Sequence, residues 1–182
     1  EVAAVLRLRD ELAPGVRVEV GLSTAFGCTL QGQVPEDDVL RLAGQLAAIG
    51  VDEIGLSDTT GMANPAQVSR LFKRMFQEIG RLTGAAHMHN TRGLGLANVI
   101  AGLEVGVTTF DASQAGLGGC PFAPNATGNI ATEDLNYMLE RSGVSTGLNH
   151  DALVSTASWL SKALEKDAPA LLGRAGQFPA KE

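Results

Sequence analysis

The sequence has few cysteines, no long apolar run and no cluster of basic residues, and each shortage excludes a class of protein. Two cysteines in 182 residues are too few for the disulfide framework of a small secreted domain, so a reducing compartment, the cytoplasm, is expected. No apolar stretch approaches the ~18 residues of a membrane-spanning helix, and no signal-peptide pattern is present, so no membrane partner is expected.

The charge balance makes nucleic acid an unexpected partner as well. The net charge is −6, and no segment concentrates Lys and Arg, whereas binding to phosphates needs a positive surface. The hydrophobic share of 45% and the charged share of 19% are typical of a globular protein. The length favours a single domain over residues 1–182.

Two kinds of segment alternate along the chain. Apolar stretches of strand length occupy residues 16–23, 51–57, 84–89 and 107–113, and each is followed by apolar residues at helical spacing. Pro35, Asn64 and Pro65 mark helix starts, whereas Gly50 and Gly80 mark helix ends. Further helices are predicted over 5–12, 94–104, 132–141 and 153–164. Four strand–helix units of this kind predict an α/β fold with parallel strands.

The sheet could be open and doubly wound, or it could belong to a barrel. A doubly wound nucleotide-binding sheet carries a glycine-rich fingerprint after its first strand, and none is present there. Residues 93–98 (Gly-Leu-Gly-Leu-Ala-Asn) match that fingerprint only in part. A complete (β/α)8 barrel needs about 250 residues, so the sequence favours a partial TIM barrel.

The densest polar cluster is Ala-His-Met-His-Asn-Thr-Arg-Gly at residues 86–93. Because side chains alternate along a strand, His87 and His89 should face the same way at the C-terminal end of their strand. Two imidazoles there fit a divalent metal, although two hydrogen-bonded histidines at a sheet rim fit equally. The third histidine, His150, lies at a predicted helix start, is expected to be solvated and is assigned no role.

A loop rich in Gly and Pro follows the fourth strand, over residues 115–129, and carries Cys120. One interpretation is a surface loop with an incidental thiol. The other is a mobile lid that delivers the thiol to a substrate as an acid or base.

Two motifs resemble the 3-hydroxy-3-methylglutaryl-CoA lyase family. They are His-Met-His-Asn-Thr-Arg-Gly at 87–93 and Ala-Gly-Leu-Gly-Gly-Cys-Pro-Phe-Ala-Pro-Asn-Ala-Thr-Gly-Asn-Ile-Ala-Thr-Glu-Asp-Leu at 115–135. The strand ends at 22–28 and 55–61 are similar as well, and the likeness weakens beyond about Lys162. The resemblance implies the C-terminal half of the barrel, equivalent to its strands 5–8 with the C-terminal helices.

The resemblance also implies a site and a reaction. Mg2+ or Mn2+ would bind His87, His89 and Asn129, and the catalytic residues would be Cys120, the lid thiol, and Asp58, near the substrate hydroxyl. The residues expected to contact an acyl-CoA substrate are Asn90, Arg92, Gly118 and Gly119. The reaction would be retro-Claisen cleavage to acetyl-CoA and acetoacetate or an analogous oxo acid. From the residues alone, Asp58 also fits a turn that caps a strand, and Arg92 fits a solvated loop residue.

The sequence departs from the family pattern at several points. The metal-binding aspartate and the neighbouring arginine of the first barrel strand are absent, so we expect little or no activity from the 182 residues alone. Asn-Thr-Arg replaces the usual Asp-Thr-Tyr after the second histidine, which suggests a different acyl group. The chain begins at Glu1 inside a predicted helix and is expected to be part of something longer.

Further expectations and alternatives follow from a half-barrel. Two open sheet edges and an uncovered apolar interior predict a homodimer, aggregation, or a need for the missing N-terminal half. The alternative functions are a related metal-dependent aldolase or Claisen synthase acting on a 2-oxo acid, and a non-catalytic half-barrel module. The Gly-Gly-Cys-Pro segment separates the lyase from the synthases, which the resemblance implies do not use that thiol.

Overall fold

The computed structural model describes residues 1–119 and 128–175, and in them four parallel strands form one sheet. The strands lie in the order β1-β2-β3-β4, so each pairs with the next one along the chain. Within the described residues this order never reverses, unlike that of a doubly wound sheet. The predicted α/β fold with a parallel sheet is confirmed. The strands are β1 (Glu19–Leu22), β2 (Glu53–Ser57), β3 (Thr83–His87) and β4 (Thr109–Asp111).

The helices begin and end close to the positions that the sequence predicts. Asn64 caps one of them, because its side-chain oxygen accepts a hydrogen bond of 3.0 Å from the Gln67 N–H. Pro65 is the first residue of that helix, and Gly80 with φ 58° ends it. The helices are α1 (Val2–Leu12), α2 (Glu36–Ala48), α3 (Pro65–Ile79), α4 (Gly95–Glu104), α5 (Thr132–Arg141), α6 (His150–Leu164) and α7 (Leu172–Ala175).

The hydrophobic core lies between one face of the sheet and the helices α2, α3 and α4. Ile54 and Leu56 of β2 are fully buried there and belong to one cluster with Val99 of α4. The amphipathic spacing of α3 places its apolar stripe on the same core. That stripe consists of Val68, Leu71, Phe72 and Met75, all with no exposed area.

The opposite face of the sheet is polar, which corrects one prediction. The side chains that point to this face alternate along the strands with the core residues. They belong to Glu19, Glu53, Ser57, His87 and Asp111, and the positions between them are filled by Gly21, Gly55 and Ala85. The expectation of an uncovered apolar interior was therefore wrong. Alternation sends the apolar side chains of these strands to the helices.

Exposed apolar residues occur instead on helices and in loops. Val5, Leu8 and Leu12 form an exposed stripe on α1, and Trp159 of α6 is 64% exposed. No helix in residues 1–119 and 128–175 is long and apolar enough to cross a membrane.

Candidate metal and substrate site

Two histidines converge at the C-terminal end of β3. His87 is the last residue of this strand, and His89 lies two residues further. Their Nε2 atoms are 3.1 Å apart, whereas the intervening Met88 is fully buried in the core. Two ligands at right angles around a cation, each ~2.1 Å from it, would be about 3 Å apart. The spacing of the two nitrogens therefore fits one shared ion.

Asn129 is held beside this pair by the backbone. His89 and Asn129 form an isolated antiparallel bridge, because the Asn90 N–H donates to Gly128 O (3.2 Å) and the Ile130 N–H donates to Met88 O (3.3 Å). The Asn129 Nδ2 donates to Leu117 O at 2.9 Å. That bond fixes the amide, whose Oδ1 is buried and has no hydrogen-bond partner among the described residues.

Glycines allow the loop that follows β4 to pack against Asn129. A Cβ on Gly118 would lie 2.8 Å from Asn129 Nδ2, and one on Gly128 would lie 2.5 Å from the carbonyl oxygens of Gly116 and Gly118. Both residues have positive φ, +101° and +93°, which glycine adopts without strain. Gly118 therefore supports Asn129, and the substrate contacts predicted for Gly118 and Gly119 stay predictions. Cys120 lies outside the described residues.

The electrostatics of the pair suit metal binding. Burial lowers the pKa of His89, the neighbouring His87 lowers it further, and the Asn129 side chain opposes the shift. A lowered pKa favours the neutral imidazole, which is the form that binds a metal. Where the structure describes the chain, no three His, Cys, Asp or Glu side chains surround one point. Two imidazoles and one carboxamide fit a divalent cation, and this donor set lacks an anionic member.

Asp58 directly follows β2 and faces the same region. It is 1% exposed, and its Oδ1 accepts hydrogen bonds from the N–H groups of Met62 (2.8 Å) and Ala63 (3.1 Å). Burial raises the pKa of this carboxyl group, against those two bonds and the charges of Arg92 and His87. Asp58 therefore caps the turn that follows β2. Its other carboxylate oxygen, Oδ2, is buried and has no hydrogen-bond partner in the described part of the chain.

Arg92 and Asn90 stabilise the loops around the site. The Arg92 Nη1 donates to Thr60 O and Gly61 O, both at 2.9 Å, so Arg92 ties its own loop to the loop of Asp58. Arg92 is an exposed loop residue, as one interpretation expected, and these two hydrogen bonds give it a structural role as well. Asn90 Oδ1 accepts the Gly95 N–H at 3.1 Å and caps α4. Their substrate contacts stay predictions.

The structure corrects the interpretation of His150. Its Nδ1 lies 3.2 Å from Asn136 Nδ2, and its ring centroid lies 5.9 Å from that of Tyr137. The expectation of a solvated histidine was wrong, because α5 and α6 pack together and leave His150 only partly exposed, with its Nε2 buried.

Sequence reasoning overlooked Asp111 and Glu133. Asp111 ends β4 beside His87, and its Oδ2 lies 3.4 Å from His87 Nδ1. Glu133 is fully buried and its Oε2 accepts the Ala115 N–H at 3.1 Å. An acidic residue at the C-terminal end of the strand after the histidine strand was the available signal for Asp111. For Glu133 the sequence offered no signal, because acidic residues are common in the first turn of a helix and nothing nearby marks this one as buried.

Comparisons with known proteins agree with this geometry. A family model described as HMGL-like matches residues 3–160. The (R)-citramalyl-CoA lyase of Chloroflexus aurantiacus is 45% identical over 162 residues, which is 89% of this chain and 51% of that protein. The hydroxymethylglutaryl-CoA lyase YngG of Bacillus subtilis is 43% identical over 148 residues, 81% of this chain and 50% of that protein. The chain spans about half the length of the curated relatives it matches.

Solved structures show the same likeness. An HMG-CoA lyase from Acinetobacter baumannii, in complex with coenzyme A and 3-methylmalate, superposes with a TM-score of 0.91 at 41% identity. The match covers 100% of this chain and 59% of that one. The carboxyl transferase domain of Rhizobium etli pyruvate carboxylase, with a TM-score of 0.70 at 20% identity over 91% of this chain and 27% of that one, shares the fold.

Proposed function

Since this chain belongs to the HMGL-like family, we propose that it carries the metal-binding part of the active site of a carbon–carbon lyase. The substrate is a 3-hydroxy-3-methylglutaryl-CoA-like thioester, cleaved to acetyl-CoA and acetoacetate or an analogous oxo acid. The observation that carries the proposal is the 3.1 Å approach of the His87 and His89 Nε2 atoms beside the unpartnered Oδ1 of Asn129. Relatives that cleave citramalyl-CoA and hydroxymethylglutaryl-CoA, as their names state, support the substrate class.

The four strand–helix units form the C-terminal half of a (β/α)8 barrel, as one partial domain over residues 1–182. The unbroken order of the parallel strands and the superposition on longer lyases support this arrangement. The site then lies at the C-terminal ends of the strands, where barrel enzymes carry their chemistry.

His87, His89 and Asn129 hold the cation, which we propose to be Mg2+ or Mn2+. When bound, this cation polarises the hydroxyl and carbonyl oxygens of the substrate as a Lewis acid. None of the three protein ligands is a carboxylate, so an anionic ligand from outside the described residues would strengthen binding.

The remaining residues move protons and hold the substrate. Asp58 Oδ2 accepts the proton of the substrate's tertiary hydroxyl, and the raised pKa of this carboxyl group makes it a better base. The carbon–carbon bond then breaks, the hydroxyl carbon becomes a ketone, and the enolate of acetyl-CoA remains. The Cys120 thiol protonates that enolate. Asn90, Arg92, Gly118 and Gly119 surround the acyl-CoA.

Location and assembly complete the proposal. We propose that the protein acts in the cytoplasm, as a homodimer or in combination with the N-terminal half of the barrel. Completion of the barrel pairs the free edges of β1 and β4.

The test uses the full-length protein, incubated with hydroxymethylglutaryl-CoA or citramalyl-CoA and Mg2+ or Mn2+, with release of acetyl-CoA as the readout. His89→Gln should lower the rate at least ~100-fold, because a ligand is lost. His150→Gln is the matched control, since it changes a histidine outside the site, and should keep most activity. Cys120→Ser should lose cleavage and still bind metal. The proposal fails if the wild type cleaves neither thioester or if His89→Gln keeps full activity.

A further inference from the structure

We propose that Asp111 is a positioning residue that orients His87 for the metal by accepting a hydrogen bond from its Nδ1–H. This inference rests on the proposed metal site. The ligands of that site are His87 and His89, at the end of β3, and Asn129. The inference adds Asp111, at the end of β4, as a residue that supports one of these ligands. Asp111 acts through His87 and touches neither metal nor substrate.

The sheet register places the two side chains side by side. His87 and Asp111 are direct partners in the parallel pairing of β3 and β4, so both point to the uncovered polar face. Asp111 Oδ2 lies 3.4 Å from His87 Nδ1, and Nε2 of the same ring lies 3.1 Å from His89 Nε2. Because the two ring nitrogens face different directions, Asp111 stands behind the ring and cannot share the cation that Nε2 would bind.

This arrangement decides which nitrogen carries the proton. A neutral imidazole has one N–H, and a carboxylate beside Nδ1 keeps the proton there, which leaves the lone pair of Nε2 for the metal. A separation of 3.4 Å is long for a hydrogen bond, and such contacts tighten when the ligand binds. His89 has no equivalent, since its Nδ1 is buried without a partner among the described residues.

The surroundings of Asp111 argue against a role in stability. Its side chain is 62% exposed, and it lies among other carboxylates. After burial, the charges of Glu53 and Asp111 raise the pKa of Glu19, so an acid at this position adds repulsion within the face. A role in orienting the neighbouring His87 explains why a carboxylate is present at this position despite the repulsion.

The experiment measures the affinity of the metal-free full-length protein for Mn2+ by electron paramagnetic resonance. Asp111→Asn keeps the shape and removes the charge, and we expect binding to weaken roughly 10- to 100-fold. Glu53→Gln is the matched control, because it removes one negative charge from the same face, at the start of β2 and two strands away from β4. It should change the affinity less than about threefold, as expected of a screened charge. Thermal unfolding checks that both variants are folded.

A second measurement separates orientation from general electrostatics. Nitrogen-15 NMR of the histidine side chains, assigned with His87→Gln, should show the Nδ1–H tautomer of His87 in the metal-free wild type and a shift toward Nε2–H in Asp111→Asn. If Asp111→Asn binds Mn2+ as Glu53→Gln does, or if its tautomer is unchanged, Asp111 does not position His87, and the lyase proposal is unaffected. If the wild type binds no Mn2+, the metal site and this inference fail together.

Discussion

At the residue scale, Glu133 links the start of α5 to the loop that supports Asn129. Its Oε2 accepts hydrogen bonds from the Ala115 N–H (3.1 Å) and from Gln114 Nε2 (3.2 Å). Ala115 has a positive φ of 62°, which is unusual for a residue with a Cβ. The carboxyl group of Glu133 therefore stabilises the strained backbone of Ala115, next to the loop that contains Gly116 and Gly118.

Burial raises the pKa of Glu133 above the ordinary value of a glutamate, against hydrogen bonds from the backbone. The folded state therefore binds the proton more tightly than the unfolded state. This stabilisation is complete below about pH 4.5 and is lost as the pH rises through the folded-state pKa. Glu133→Gln cannot ionise, so its stability relative to the wild type should increase with pH in that window. Urea unfolding of both proteins from pH 4 to 8 measures this, and a constant difference would contradict it.

At the residue scale, the sequence predicted correctly the arrangements that depend on residues close together in the chain. The strand period alone puts His87 and His89 on one side, and the resemblance added Asn129 and Asp58. The bonds of Arg92 to Thr60 and Gly61 could not be foreseen, because they join loops 31 and 32 residues apart in sequence. Partners across a fold depend on how the helices and strands pack.

At the scale of helices and strands, Gly95 sets how closely α4 approaches the segment of Asn129. A Cβ on Gly95 would lie 2.4 Å from Ile130 Cγ2 and 3.1 Å from His89 O. Ile130 is 1% exposed and follows Asn129 directly. The start of α4 is therefore packed against the candidate site without room for a side chain.

Two matched substitutions test this close packing. Gly95→Ala should lower the free energy of unfolding by about 1–3 kcal/mol, because overpacking costs more than helix propensity returns. Gly44→Ala, inside α2, meets only Glu78 Oε1 at 3.6 Å. It should instead stabilise the protein by up to ~1 kcal/mol through helix propensity. Urea unfolding of both variants decides the sign, and equal effects would show that contact with Ile130 does not limit this position.

The same scale shows what periodicity can and cannot predict. The helix α3 begins and ends where its caps and spacing indicate, and α5 spans the predicted residues 132–141. The predicted strands were too long at several ends, since β4 has only 3 residues. An apolar run gives the location of a strand, whereas its length depends on the neighbour that pairs with it.

At the scale of the whole molecule, the ligand set that we propose for the cation has no anionic member among the described residues. His87, His89 and Asn129 contribute no carboxylate, and Asp111 lies beside Nδ1 of the His87 ring, away from Nε2. We therefore expect the 182-residue chain alone to bind Mn2+ at least ~10-fold more weakly than the full-length protein, because a hard cation prefers anionic oxygen. Calorimetry of both proteins measures this. Equal affinity, or full-rate cleavage by the 182 residues, would contradict it.

The uncovered face of the sheet sets conditions on any segment that closes over it. Glu19, Glu53 and Asp111 point outward there, and ionised carboxylates resist dehydration unless cationic or hydrogen-bonding groups meet them. Any segment that closes over this face must therefore supply guanidinium groups, ammonium groups or trapped solvent opposite these positions. Chimaeras built with halves of unrelated barrels would lack these counter-charges and would be destabilised for that reason, even where the backbones superpose well.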